Sequence, residues 1–166
     1  MKIKIISGGQ TGADYGGLLA AKAYDIQTGG CAAKGFKTEV GFNTALGSFY
    51  NLEDKGLDYV DRTKENVRNS DMTLVFADNL NSAGTKLTID TCAKLKKPCK
   101  INPAAFVIAD IITKMRGILP DDASFTINVA GNRESVAPGI KERTERVLCG
   151  AFKMVKFKHK EKNEWV

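Results

Sequence analysis

Residues 2–14 read KIKIISGGQTGAD: a β-branched apolar run from Lys2 to Ser7 that breaks at Gly8-Gly9 and passes into a helical pattern from Gly12. A short apolar run ending in glycines marks a buried strand entering a turn. In residues 12–24, GADYGGLLAAKAY, Leu18, Leu19, Ala20 and Ala23 recur at helical spacing. Thr11, with Asp14 three residues on, has the form of a capping box with Asp in place of Glu. Strand, glycine turn and helix together are the opening unit of an α/β sandwich.

The same alternation continues outward from this unit. A weak second strand is expected at Ile26–Gly30. Residues 31–58, rich in Gly, Asn, Lys and Thr and without a clear period, read as a long surface segment. A short polar helix follows at 62–70, then at 72–77 the run MTLVFA, a strand of the kind covered on both faces. Asn79 to Gly84 is a turn. Thr85 to Lys97 is a helix whose Lys94, Lys96 and Lys97 complement its C-terminal dipole before Pro98 ends it. A short strand at 99–102, a helix at 104–117, a strand at 125–130 and a helix from Ile140 to about Phe157 complete the chain. Such alternation implies right-handed crossovers and a parallel sheet with helices on both faces. The fold class is α/β: a single-domain, Rossmann-like, three-layer sandwich with a mainly parallel sheet. Residues 1–152 form the ligand-binding domain and 153–166 a basic C-terminal end.

Composition narrows the function classes. The 166 residues are 43% hydrophobic and 27% charged, with 16 glycines and only 4 prolines, which disfavours disorder, collagen and coiled coil. No run approaches the ~18 apolar residues of a membrane helix, and Gly8-Gly9 comes too soon for a signal peptide, so a cytoplasmic protein is expected. Cys31, Cys92, Cys99 and Cys149 share no Cys-x-x-Cys spacing and are expected to be free thiols, with no metal ligands among them. Residues 153–166 hold five lysines against two acids, half of the net charge of +6. The ordinary reading of that end is a solvated helix terminus, so nucleic acid is not an expected partner, and neither is a membrane.

Three strands end in polar turns: Gly8-Gly9-Gln10-Thr11-Gly12, Asn79 to Thr85, and Gly131-Asn132-Arg133-Glu134-Ser135. In a parallel sheet these ends share one edge, where ligands bind. Each turn enters a helix N-terminus, whose unpaired N–H groups attract anions. Together they predict a cleft for a phosphate-bearing or otherwise anionic small molecule. The first turn is not a Walker A loop, because no Gly-Lys-Ser/Thr ends it, and Gln10 replaces the second glycine of a dinucleotide fingerprint. It can equally be a tight connection capped by Thr11 and Asp14. Ser82-Ala83-Gly84-Thr85 is either an ordinary N-cap or a phosphate cradle. Arg62, Arg133 and Lys34 are the candidate cations, suited to phosphate or carboxylate. Asp14 would repel an anion, so it either caps the first helix or accepts a ligand N–H or hydroxyl. Glu134 carries the same two readings. Cys31 at a strand end is read as inert.

The chain resembles the molybdenum carrier family, a branch of the Rossmann-like superfamily that also holds the lysine-decarboxylase-like LOG proteins and DprA-type domains. The resemblance rests on Ser7-Gly-Gly-Gln-Thr-Gly-Ala-Asp14, Gly29-Gly30-Cys31-Ala-Ala-Lys34-Gly35, Arg62-Thr63-x-x-Asn66-Val67 with Ser70-Asp71, Ser82-x-Gly84-Thr85-x-x-Thr88, and Asn128-Val-Ala-Gly131-x-Arg133-Glu134-Ser135 with Pro138-Gly139-Ile140. These stretches span nearly the whole chain in order. The resemblance implies a homo-oligomer, dimer or tetramer, that binds molybdenum cofactor (molybdopterin) or a related nucleotide-like molecule in the cleft. It implies binding roles for Gly8, Gly9, Gln10, Thr11, Gly12, Asp14, Lys34, Arg62, Asn66, Ser82, Gly84, Thr85, Thr88, Asn128, Gly131, Arg133 and Glu134. The chain departs from the family in lacking its bulky aromatic in the Gly-Gly-x-Cys stretch and its proline before the Lys-Gly pair, and in having Ala83 for a glycine.

LOG-type enzymes hydrolyse nucleoside monophosphates with a glutamate whose place is taken here by Thr88, a poor acid or base. The single histidine, His159, lies in the basic end. Asp14 and Glu134 are the remaining candidates for a nucleotide hydrolase. A sensor or scavenger of ADP-ribose-like or cyclic nucleotide signals is the third reading the superfamily prompts.

Overall fold

The computed structural model describes the backbone of residues 1–164 and the side chains of residues 1–155. Of the basic end, Lys153 to Val155 fall within these limits. The side chains from Lys156 onward, His159 among them, lie outside the described residues.

In chain order the elements are β1 (Lys2–Ile6), α1 (Ala13–Ala23), β2 (Gln27–Gly29), β3 (Cys31–Ala32), β4 (Lys37–Thr38), β5 (Gly41–Phe42), α2 (Ala45–Ser48), β6 (Glu53–Asp54), α3 (Tyr59–Arg68), β7 (Met72–Phe76), α4 (Ala83–Lys94), β8 (Cys99–Ile101), α5 (Ala105–Ile118), β9 (Ser124–Gly131) and α6 (Ile140–Glu164), with a single 3-10 turn at Lys34–Phe36. Five strands form one parallel sheet in the order β2-β1-β9-β7-β8. Counted with β9 as the first strand, that order becomes 3-2-1-4-5, the doubly wound arrangement whose ligand crevice opens where the order reverses. Here the reversal falls between β9 and β7. Met1 and Lys2 share a depression with Phe152 and Val155 of α6, so the last helix runs back beside the first strand.

Side-chain alternation divides the sheet into two unlike faces. Phe125, Ile127 and Val129 of β9, with Met72, Leu74 and Phe76 of β7, enter the main core under α1, α5 and α6. The alternate positions, Thr73 and Asn128, are buried and polar and meet Thr85, Thr88, Thr91 and Cys92 of α4. Close approach of α1 depends on small residues: a Cβ on Gly16 would lie 2.4 Å from the Lys141 carbonyl oxygen, and one on Gly17 would lie 2.7 Å from Val129.

Residues 31–58 correct the expectation of a plain surface segment. Ala32, Leu46, Tyr50 and Leu52 form a second core with Leu18 of α1. Its strands are two residues long and α2 is four, too short for any period to register in the sequence. The helix expected at 62–70 begins earlier, at Tyr59, because Asp58 caps it by accepting from the Asp61 amide at 2.8 Å.

Candidate functional site

A cleft of about 430 Å³ lies at the carboxyl ends of β1, β7 and β9, within the size range of ligand pockets. Gly8, Gln10 and Asp14 line it from the first turn. Ser82, Gly84, Thr85 and Thr88 come from the second turn and α4, and Asn128, Gly131 and Arg133 from β9 and the third turn. Arg62 and Asn66 project into it from α3. Gln10, Thr85 and Arg133, far apart in the chain, therefore face one cavity.

The first turn supplies its own anion. The Asp14 carboxylate accepts the amide of Gln10 and the Arg62 Nη1, each at 3.2 Å, and the Gly8 amide also bonds to it. Gly9 N–H donates to Ser7 Oγ, and Thr11 N–H to Gln10 Oε1. The expected capping box is therefore absent: the N-cap of α1 is Gly12, at φ 80°, with no side-chain cap. Thr11 Oγ1 donates instead to Glu39 and accepts the Glu134 amide, and Asp14 is taken by Gln10 and Arg62, so neither closes the box. Burial raises the Asp14 pKa above its ordinary value of 3.8, opposed by Arg62 and the two amides. Arg62 lies directly over Gly8, where a Cβ would sit 1.4 Å from Nη1.

The second turn is built differently. Ser82 is the N-cap of α4 but makes no capping bond, because its Oγ accepts from Asn132 Nδ2 at 2.9 Å. Asn132 also donates to Thr85 Oγ1 and the Asn79 carbonyl, while its Oδ1 accepts from the Asp78 and Asn79 amides. One buried amide thus ties the third turn to the second. Among the described residues, no group accepts the N–H of Ala83, Gly84 or Thr85, and the first bond of the helix runs from Lys86 to Ser82. Thr88 Oγ1 donates to the Gly84 carbonyl and is withdrawn from chemistry.

Three buried polar atoms on cleft-lining side chains have no partner: Gln10 Nε2, Arg62 Nε and Asn128 Oδ1. Their residues are 4%, 8% and 2% exposed. Buried polar groups are nearly always paired, so three such atoms on residues that line one cleft are unusual.

Not every expected residue reaches the cleft. Gly9 packs against Leu46 and Leu52, and Gly12 against the third turn. Thr11 Oγ1 donates to Glu39. Lys34 is exposed on the 3-10 turn beyond the lining. Glu134 turns away and caps α6, accepting from Gly139 N at 2.6 Å and Lys141 N at 3.1 Å. Asn66 lines the cleft but spends its amide on the backbone of Cys31, at 2.7 and 2.9 Å.

Sequence reading missed Tyr59, whose ring lies 5.0 Å from the Arg133 guanidinium and 5.7 Å from that of Arg62. Tyr59, Arg62, Thr63 and Asn66 follow the i, i+3, i+4, i+7 spacing of one helix face, a signal hidden by placing the helix start too late. Glu39 was also missed. It accepts from Thr11 and Ser135, and its own N–H donates to Gln10 Oε1 at 2.9 Å, which leaves Gln10 Nε2 buried without a partner. Burial would raise the Glu39 pKa, but the Ser135 and Thr11 hydrogen bonds outweigh it and hold it below 4.5.

A doubly wound sheet with a polar crevice at its switch point is the architecture of a Rossmann-like ligand-binding protein. The chain belongs to the Circularly permutated YpsA SLOG family, which it matches over residues 5–152. The renumbered strand order shows the permutation directly, with β9 occupying the place of a first strand. The chain is also similar to the crystal structure of a "Putative molybdenum carrier protein" from Syntrophus aciditrophicus SB, at 33% identity and a TM-score of 0.73, covering 90% of this chain and 93% of that one. No curated protein matches the chain. Among the described residues, no helix is long and apolar enough to cross a membrane.

Proposed function

We propose that the chain is a binding or carrier protein for a small anionic ligand, molybdenum cofactor (molybdopterin) or a related nucleotide-like molecule. The observation that carries this reading is the set of unpartnered buried atoms on Gln10, Arg62 and Asn128. An unmatched buried polar group costs about 1–3 kcal/mol, which a ligand with the complementary pattern returns on binding. A heterocycle edge offers alternating donors and acceptors to such a wall. The open amides of Ala83, Gly84 and Thr85 take the phosphate, with Arg133 beside it. Molybdopterin combines these two features, and the similarity to a protein named as a molybdenum carrier favours it among ligands of this shape.

One observation favours a nucleotide hydrolase as the second reading: Asp14 is a buried carboxyl in the cleft with a raised pKa. The test is a thermal-shift panel of molybdopterin, AMP and ADP-ribose, with product analysis of the AMP arm. A bound ligand at 100 times its Kd adds about 2.7 kcal/mol of stability. Stabilisation by molybdopterin without turnover supports the carrier. Stabilisation by ADP-ribose alone replaces it with a nucleotide-signal sensor. Release of adenine from AMP, lost in Asp14→Asn, replaces it with the hydrolase.

A further inference from the structure

Away from the cleft, two cysteines separated by six residues meet across the junction of α4 and β8. Cys92 lies on the buried face of α4 that also carries Thr85 and Thr88, and is 1% exposed. Cys99 opens β8, the edge strand of the sheet, and is partly exposed. In the parallel ladder Cys99 stands opposite Thr73, so the two side chains project from the same face. That face is the one under α4, because Thr73 Oγ1 accepts from Asn128 Nδ2 and also bonds Cys92. Cys99 therefore lies beside Thr73 on the face that α4 covers, close enough to Cys92 for each thiol to shift the acidity of the other.

We propose that Cys92 and Cys99 form a redox dithiol that closes to an intramolecular disulfide on reaction with a low-molecular-weight disulfide of the glutathione type. In the first step the accessible Cys99 passes its proton to the neighbouring Cys92 thiolate as its sulfur attacks the oxidant, forming a mixed disulfide and releasing one reduced thiol, after which Cys92 gives that proton up to solvent. In the second, the Cys92 thiolate attacks the Cys99 sulfur, the Cys92–Cys99 bond forms, and the second reduced thiol leaves. The protein loses two hydrogens and two electrons, and the oxidant gains them as two thiols.

Access assigns the first step to Cys99, and the surroundings prepare Cys92 as base and resolving thiolate. The neighbouring Cys99 thiol lowers the Cys92 pKa to about 7, with help from Thr73 and the charge of Lys97, while the same contact raises Cys99. Cys31 and Cys149 have no neighbouring thiol: Cys31 Sγ bonds the Ala32 carbonyl, and burial raises both. The resulting bridge would staple the C-terminal half of α4 to the sheet edge. It is independent of the ligand assigned to the cleft.

The test is to incubate the reduced full chain with oxidised glutathione, block free thiols by alkylation and map the peptides by mass spectrometry. The expected product links the Cys92 and Cys99 peptides, is lighter by two hydrogens, returns to the starting mass with dithiothreitol, and leaves Cys31 and Cys149 alkylated. Cys92→Ser is expected to stop the reaction at a stable glutathione adduct on Cys99, and Cys99→Ser to prevent the bridge. Should Cys92→Ser fail to fold, the half-exposed Cys99→Ser carries the test. A wild-type chain that accumulates the glutathione adduct, links another pair or stays fully reduced overturns the proposal.

Discussion

The turn after β1 and the turn after β7 occupy the same sheet edge, and each enters a helix N-terminus, yet their amide hydrogens have opposite fates. In the first, Gly8 and Gln10 donate to Asp14, Gly9 to Ser7 and Thr11 to Gln10, so the positive end of α1 already faces a carboxylate belonging to the chain. In the second, Ala83, Gly84 and Thr85 keep their amides open while Asn132 holds the turn from behind. A glycine-rich turn is therefore not in itself an anion site. What matters is whether the protein has filled it, and on that ground the proposed place for the ligand's anionic group is α4 rather than α1.

Removing the internal counter-ion is expected to have the largest effect on this contrast. Arg62→Ala leaves Asp14 buried without its cation, a loss of about 3–5 kcal/mol measurable by urea unfolding. The pH dependence has a definite sign. Asp14 has a raised pKa in the fold, so its ionisation opposes folding, and stability falls as pH climbs from the unfolded-state value through the folded-state one. Arg62→Ala steepens that fall, and adding Asp14→Asn removes it. Next comes Asn132→Ala, which strips the second turn of its anchor. The cost is at the upper end of the about 1–3 kcal/mol expected for orphaned buried groups, with faster hydrogen exchange at the Asp78 and Asn79 amides.

Gly84→Asp sharpens the comparison by making the second turn resemble the first. A Cβ at Gly84 meets nothing within 4 Å, so a side chain fits there. A carboxylate at the helix N-terminus is expected to raise thermal stability by about 0.3–1 kcal/mol and to abolish the thermal shift given by molybdopterin. Glu39→Gln has the smallest effect, below about 1 kcal/mol because the residue is partly exposed. Glu39 has a depressed pKa, so its contribution is present above 4.5 and lost as pH falls through the folded-state value. The variant should lack that acid-side loss in a Tm series against pH.

The sheet was legible because β1 and β9 are apolar runs that stop at glycines and β7 is a continuous apolar run, and the edge that carries the candidate site followed from parallel topology alone. Gln10, Thr85 and Arg133 could be placed on one edge without coordinates. The direction of a side chain could not. Asp14 in the first turn of α1 has the spacing of a cap, and only the approach of Arg62 from α3 turns it back toward Gly8 and Gln10. Glu134 has the composition of a site residue and the job of a cap for α6. Tyr59 and Glu39 escaped notice because their roles arise from contacts across the chain, and Leu46, Tyr50 and Leu52 build their core from elements too short to leave a period.

We propose that the α4 N-terminus, not the α1 turn, receives the ligand's anionic group. Titration of isotope-labelled protein with AMP, followed by NMR, tests it at individual amides. Shifts are expected at Ala83, Gly84 and Thr85 together with the side-chain N–H signals of Gln10 and Arg62. Shifts at the Gly9 to Gly12 amides, with α4 unmoved, would contradict it.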